Sequence, residues 1–231
     1  MPDQSSRHKL VSELEMFRIQ AFNVARDANP VQLLSADTRA ECMLIVAIAV
    51  KFSSPGPVLH RAQRAGRFGQ LFTLYKFRSM RVDLTGRAPR ITGSDDPRIT
   101  RVGRLLRNSK LDELPQFFNT LKGDMSLVGP RPEDPKLVAT YSAEQRRVLT
   151  VKPGITSPAT VLNRHEEDVL AGPNPEEVYR RDVLPAKLKI ELDYLDRRTV
   201  IEDLRVLAHT VAALFSRRTR LEPDRGSEWR I

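Results

Sequence analysis

The sequence predicts an α-rich α+β fold in a single compact domain with a short apolar N-terminal helix. Three observations carry this. A nine-residue apolar run, Cys42 to Val50, lies between Glu41 and Lys51; Phe72 to Met80 alternates in the manner of a strand; and two later stretches repeat apolar residues at helical spacing. The chain has 231 residues, enough for one sizeable core, and no Gly/Ser-rich or Pro-rich linker divides it.

The apolar run predicts a helix around 40–52, well short of the ~20 residues needed to cross a bilayer. A strand pair follows near 57–80, turning at Gly66 to Gly69. On its second strand Lys76 and Arg78 fall on one face by alternation, placed to meet phosphate together. Next comes a helix over 97–107, with Arg98, Arg101, Arg104 and Arg107 at helical spacing. A helix over 112–122 then buries Leu114, Phe117, Phe118 and Leu121. Further helices are expected over 134–149, 175–195 and 199–216. The last opens on Thr199-Val200-Ile201-Glu202, a capping-box pattern, and repeats apolar residues at Val200, Leu204, Leu207, Val211 and Leu214 before Arg217, Arg218 and Arg220. That is an amphipathic helix with a basic end, suited to its own core or to a lipid interface.

Net charge is +9, and arginines outnumber lysines by 29 to 9. Nucleic acid, an anionic membrane surface and a nucleotide substrate all favour such basicity. No aromatic-interleaved basic motif or nucleic-acid fold signature accompanies it, so nucleic acid is not expected as a partner. The single cysteine, Cys42, permits no intrachain disulfide. The histidines at 8, 60, 165 and 209 lack metal-ligand spacing.

The chemistry concentrates in Leu111-Asp112-Glu113-Leu114-Pro115 and in Gly129-Pro130-Arg131-Pro132. Pro115 lacks a backbone N–H and is at ease in a first helical turn, which puts Asp112 and Glu113 beside a helix N-terminus whose dipole favours ionised carboxylates. An ionised aspartate is a potential nucleophile, and a neighbouring glutamate can hold a hard cation such as Mg²⁺. Arg131, stiffened by flanking prolines, can meet a doubly charged oxyanion at little ordering cost.

These motifs, with Ser54-Pro55-Gly56-Pro57-Val58, Tyr75 to Met80, Asp96 to Gly103, Gly123 to Pro132 and Lys152-Pro153-Gly154-Ile155-Thr156, resemble the bacterial sugar transferase family, the monotopic phosphoglycosyl transferases, over about Ser54 to Leu214. The resemblance implies a cytosolic catalytic domain at the cytoplasmic face of the bacterial inner membrane, monotopic or peripheral. It implies a UDP-sugar donor, a polyprenyl phosphate acceptor, nucleophilic attack by Asp112 with loss of UMP, and Mg²⁺ on Glu113. Arg107 and Arg164 match family positions near phosphate, and Asp193 a position that supports the site. On this reading 1–40 is a divergent polar segment, 41–53 the remnant of a re-entrant membrane helix, 54–216 the catalytic domain and 217–231 a basic tail. Asp83 to Asp95 reads as a mobile loop able to close over nucleotide. A homodimer is compatible with it.

Two features depart from the family. The leading apolar half of the membrane segment is not recognisable, leaving a divergent anchor, an altered gene start or a relative that relies on a partner. In Arg61-Ala62-Gln63, the glutamine that relatives place directly after the first arginine is displaced by one. In addition, Ser157 follows Thr156 where glycine is frequent, and sugar specificity is expected near there. The alternative function is a catalytically impaired remnant that binds nucleotide-sugar, lipid phosphate or an assembly partner.

Overall fold

The computed structural model describes residues 43–83, 91–164 and 166–215. The segments 1–40 and 217–231, the start of the first helix and most of the 83–95 loop lie outside the described residues.

Helix α1 occupies 43–53. It buries Val46, Ala47 and Val50 against Val58, Phe77 and Leu106, while Leu44, Ile45, Ile48 and Phe52 are exposed. Strands β1 (Leu59–Ala65) and β2 (Leu71–Phe77) form an antiparallel hairpin with Leu59 opposite Phe77 and Ala65 opposite Leu71. Its turn falls at Arg67–Gly69, as the glycines predict.

Helix α2 spans Arg101–Ser109, later than the expected 97–107. The reason is local: Asp96 Oδ1 accepts from the Arg98 backbone N–H at 2.9 Å, holding a turn, and Thr100 Oγ1 caps the helix by accepting from Gly103 N at 2.8 Å. Gly103 lets α2 lie directly on the Ser79 backbone, where any side chain would overlap the carbonyl.

Asp112 and Glu113 do not open a long helix. Lys110 adopts a left-handed conformation (φ 58°, ψ 14°), a single 3₁₀ turn Leu111–Glu113 follows, and helix α3 runs only from Gln116 to Leu121. Pro115 precedes α3 in helical conformation, so the proline does mark a helix start, four residues later than expected for the carboxylates. Asn119, fully buried, fastens α3 to β2: its Nδ2 donates to Thr73 O at 2.7 Å and its Oδ1 accepts from Tyr75 N at 3.2 Å. This bond pair sets α3 and the Leu111–Glu113 turn before it against β2.

Strands β3 (Ser126–Val128) and β4 (Gly154–Thr156) pair in parallel, an element the sequence reading lacked because three-residue strands carry no periodic signal. The expected helix 134–149 is instead α4 (Pro135–Val138) and a 3₁₀ helix, Gln145–Thr150. Ser142 breaks it, its Oγ accepting from Gln145 N at 3.2 Å while Gln145 Oε1 accepts from Ser142 N at 2.9 Å, a reciprocal cap that starts a new turn.

Short helices α5 (Pro158–Leu162) and α6 (Glu166–Val169) lead to α7 (Pro175–Val178), a π-turn Tyr179–Val183 and α8 (Leu184–Arg197), which together fill the expected 175–195. Pro185 has no N–H and crowds the carbonyl four residues back, so the helix widens there. Helix α9, Val200–Phe215, closes the described chain. The main core gathers Ala65, Leu137, Tyr141, Tyr179, Leu184 and Leu188. Among the described residues no helix is long and apolar enough to cross a membrane.

Candidate active site

The hairpin, the end of α2, the 3₁₀ turn, α3, the loop after β3 and the α6–α8 wall enclose a cleft of about 530 Å³. Its lining includes Lys76, Arg107, Lys110, Asp112, Glu113, Gln116 and Arg131.

Glu113 is buried and held by two cations. Lys76 Nζ donates to its Oε1 at 3.1 Å, the Arg131 Nη2 donates to the same oxygen, and Arg131 Nη1 reaches Oε2 at 3.3 Å. Burial acts to raise its pKa, but the charges of Arg131 and Lys76 outweigh this and hold the carboxyl well below the ordinary range. Arg131 is raised further by Glu113, so that pair is charged at any physiological pH. Lys76 is lowered, burial being the largest cause and Glu113 opposing it.

Asp112, the neighbouring residue, differs. Its carboxyl is also buried, yet Oδ1 has no hydrogen-bond partner among the described residues. Burial pushes its pKa up to about 6, with Lys76 pulling against that and the Glu113 charge adding to it. The helix dipole invoked for both carboxylates thus gives way to burial and ion pairing: a six-residue α3 that starts beyond Asp112 lends it little field.

Arg107 lies in the last turn of α2 and is paired with Glu167 of α6, Nη2 lying 2.9 Å from Oε1. Arg107, Lys110 and Glu167 line both the cleft and an adjoining cavity of about 160 Å³, and Arg164, Asn108 and Ser94 line the latter. Arg164 therefore lies in this side cavity, next to Arg107, and not in the main cleft.

Two expected site residues are placed elsewhere. Arg78 does not share the cleft with Lys76. Strand β2 ends at Phe77, so alternation no longer governs residue 78, and the guanidinium turns inward to backbone carbonyls at the end of α1 and just beyond it. It donates to Val50 O at 3.2 Å, to Ser54 O at 2.6 Å and to Pro57 O. Gly56, with φ of +123°, is needed for this close packing, since a side chain would strike the Arg78 guanidinium. Asp193 is half-buried on α8, away from the cleft, and its carbonyl accepts from Arg197 Nε at 3.3 Å. The buried acid of α8 is Glu191, two residues earlier and ~200° around the helix. Glu191 is 3% exposed and accepts from Ser157 Oγ at 2.6 Å, and both Ser157 and the backbone N–H of Arg131 act to lower its pKa. Burial pushes it up to about 7.

The Thr156-Ser157 loop is likewise committed to packing: both residues are buried, Thr156 Oγ1 lies 2.7 Å from Thr210 Oγ1, and neither lines the cleft. The displaced Gln63 donates to Thr73 Oγ1 at 3.1 Å across the exposed hairpin.

The far end of the cleft holds residues that the sequence reading missed. Lys187, 5% exposed, lies 3.2 Å from Glu133 and 3.1 Å from Glu166, and Tyr179 OH donates to Glu133. Burial acts to raise the Glu133 carboxyl, but Lys187, the Tyr179 hydroxyl and Arg64 together hold it below the ordinary range. Lys187 is raised by Glu133 and Glu166 against its burial. The one legible hint was Glu133 itself, two residues after the proline-flanked Arg131.

Among the described residues no cluster of three or more His, Cys, Asp or Glu side chains can form a metal cage. The donor set fits a metal of another kind: a hard cation held by one or two carboxylates and completed by a substrate's phosphates and water. Glu113, ionised and with a lone pair left on Oε2, and Asp112 Oδ1, without a partner among the described residues, are the donors such an ion would find.

The family model described as bacterial sugar transferase matches residues 31–217, beginning upstream of Ser54. The chain is 38% identical over 185 residues to the UDP-glucose:undecaprenyl-phosphate glucose-1-phosphate transferase of Xanthomonas campestris pv. campestris, which covers 77% of this chain and 35% of that protein. It is 42% identical over 129 residues to the UDP-N-acetylgalactosamine-undecaprenyl-phosphate N-acetylgalactosaminephosphotransferase of Aeromonas hydrophila, covering 54% of this chain and 30% of the relative. It is 36% identical over 191 residues to the exopolysaccharide production protein PSS of Rhizobium leguminosarum bv. phaseoli, covering 77% and 88%. The chain spans about a third of the length of the first two relatives.

Proposed function

The chain belongs to the bacterial sugar transferase family, and from that premise we propose that it moves phosphosugar from a UDP-sugar to polyprenyl (undecaprenyl) phosphate, releasing UMP, as the first step of exopolysaccharide, lipopolysaccharide or glycoprotein glycan synthesis. An Asp112 carboxylate oxygen attacks the sugar-linked phosphorus, the phosphorus–oxygen bond to UMP breaks, and its electron pair leaves with UMP. An oxygen of the lipid phosphate then attacks the same phosphorus, and the bond to Asp112 breaks to restore the carboxylate.

The observation that carries this reading is a buried aspartate whose Oδ1 has no partner among the described residues, in a cleft lined by cations and carboxylates in near balance. Its pKa of about 6 leaves it ionised at neutral pH yet more basic than an exposed aspartate, which suits a nucleophile. Lys76, Lys110, Arg107 and Arg131 meet the charge of the diphosphate. Because Lys76 and Arg131 are already paired with Glu113, their charge is compensated before substrate arrives, and the paired groups are oriented at no further ordering cost. Mg²⁺, when bound at Glu113, would supply Lewis-acid neutralisation of the diphosphate.

We place this activity at the cytoplasmic face of the bacterial inner membrane, with α1 and α9 toward an anionic lipid surface. In support, Leu44, Ile45, Ile48 and Phe52 of α1 and Ile201, Leu204, Val211 and Leu214 of α9 are exposed apolar residues. The relatives named above carry different sugars in their names, so the sugar is a matter for assay.

The test is UMP release from a panel of UDP-sugars in lipid nanodiscs, with and without undecaprenyl phosphate and Mg²⁺, beside Asp112→Asn. Release that needs lipid phosphate, metal and Asp112 is the expected result. Undiminished turnover in Asp112→Asn would sink the nucleophile assignment, and no release by folded wild-type protein would favour the binding-only alternative.

A further inference from the structure

Among the described residues, one buried side-chain atom besides Asp112 Oδ1 lacks a partner and belongs to a residue lining the cleft: Gln116 Nε2, on the first residue of α3. Gln116 is 1% exposed. A buried amide NH₂ without an acceptor is an energetic cost that a folded chain ordinarily avoids. The contrast with Asn119, a turn further along α3, is instructive. Asn119 is just as buried, but its amide nitrogen and oxygen bond the backbone of Thr73 and Tyr75. The Asn119 amide serves the fold; the Gln116 amide has no such duty, and the cleft is what it lines.

The acceptor it awaits can be argued from chemistry. Lys76, Lys110 and Arg131 line the same cleft beside Asp112 and Glu113, and these cations suit a phosphorylated ligand. Ionised phosphoryl oxygens accept hydrogen bonds and donate none, which is the complement of an orphan NH₂. Resting on the transferase reading, we propose that Gln116 is a catalytic residue whose Nε2 donates to a non-bridging oxygen of the phosphoryl group as it passes between the diphosphate and Asp112. As a neutral donor it gathers charge developing on that oxygen without adding a further cation to pair with Asp112 or Glu113.

Gln116→Met and Gln116→Leu keep an apolar shape of similar bulk and remove the donor. The expected result is a melting temperature at or above that of wild type, because an unpartnered buried amide is lost, together with a fall in UMP release of about 10²-fold. Orthovanadate, a mimic of the phosphoryl group in transit, should inhibit both variants at least about 10-fold more weakly than wild type. Inhibition by UMP should stay unchanged. Wild-type turnover in either variant would overturn the assignment. So would a marked fall in melting temperature in both, which would make the amide structural, or an equal weakening of UMP and vanadate, which would make it a nucleotide contact. Failure of the transferase reading is told apart by wild-type protein that releases no UMP; failure of this assignment alone shows as turnover lost in Asp112→Asn and kept in Gln116→Met.

Discussion

Glu113 takes two cations and Asp112, the residue beside it, leaves an oxygen with none. Lys76 and Arg131 converge on Glu113, whereas Asp112 Oδ1 is sealed from solvent with no partner among the described residues. Two consecutive carboxylates are thereby driven in opposite directions, Glu113 well below its ordinary pKa and Asp112 up to about 6.

Opposite stability effects follow from replacing each with its amide. A carboxyl raised in the folded state costs stability above its folded pKa, so Asp112→Asn should stabilise the chain at pH 7, by about 3 kcal/mol for a rise from 3.8 to about 6. The wild-type and variant curves should converge as pH falls through 6 toward 3.8, where the carboxyl is protonated in both states. Glu113→Gln strips the charge that compensates Lys76 and Arg131 and should destabilise by about 3–5 kcal/mol. Chemical denaturation of both variants across pH checks this; the same sign for both would refute it.

Turnover should fall with acid. Attack needs the ionised form of Asp112, so UMP release by the free enzyme should drop about tenfold for each unit of pH below about 6. The measurement is kcat/KM against pH on protein whose fold is monitored in parallel. A profile flat down to pH 5 would mean that substrate is attacked by another group.

Glu167 occupies the arginine that a phosphate would want. Glu167→Gln frees Arg107 of a part-exposed ion pair, so stability should change by no more than about 1 kcal/mol. The KM for the UDP-sugar should fall, since a competing carboxylate is gone. A raised KM would show instead that Glu167 orients Arg107 productively.

Arg78→Lys tests the placement of an arginine outside the site. Lysine cannot span the carbonyls of Val50, Ser54 and Pro57, so a loss of about 2–4 kcal/mol is expected, with UMP inhibition of the folded protein unchanged. Weakened UMP inhibition at full stability would return Arg78 to the cleft.

Chelation should separate activity from fold. With no protein-only metal cage among the described residues, EDTA should abolish UMP release while leaving far-UV dichroism and the melting temperature unchanged. A lowered melting temperature on chelation would point to a structural ion.

What was legible in the sequence was local. Pro115, the two prolines around Arg131 and the strand alternation through Lys76 each constrain their own few residues, and those constraints survive folding. Arg78 and Asp193 went astray for want of phase: one lies a single residue past a strand end, and the other is turned ~200° from Glu191, the buried acid of α8. The Lys187–Glu133 pair joins residues 54 apart, and no periodicity reports such a meeting. The orphan status of Gln116 is equally invisible in one dimension, because it is defined by what fails to lie nearby.

The π-turn at Tyr179–Val183 has a consequence for how this region tolerates changes in length. A π-turn accommodates an extra residue relative to an α-helical turn. Deleting any one of the five would let the helix regularise and would rotate everything before the turn by ~100° against everything after it. Tyr179, Glu176 and Arg180 would swing relative to Lys187, and the wall they build together would come apart without a single side chain having been replaced. Point substitution can drift through such a segment, but an insertion or deletion cannot, so its residue count is as much a part of the site as any of its side chains.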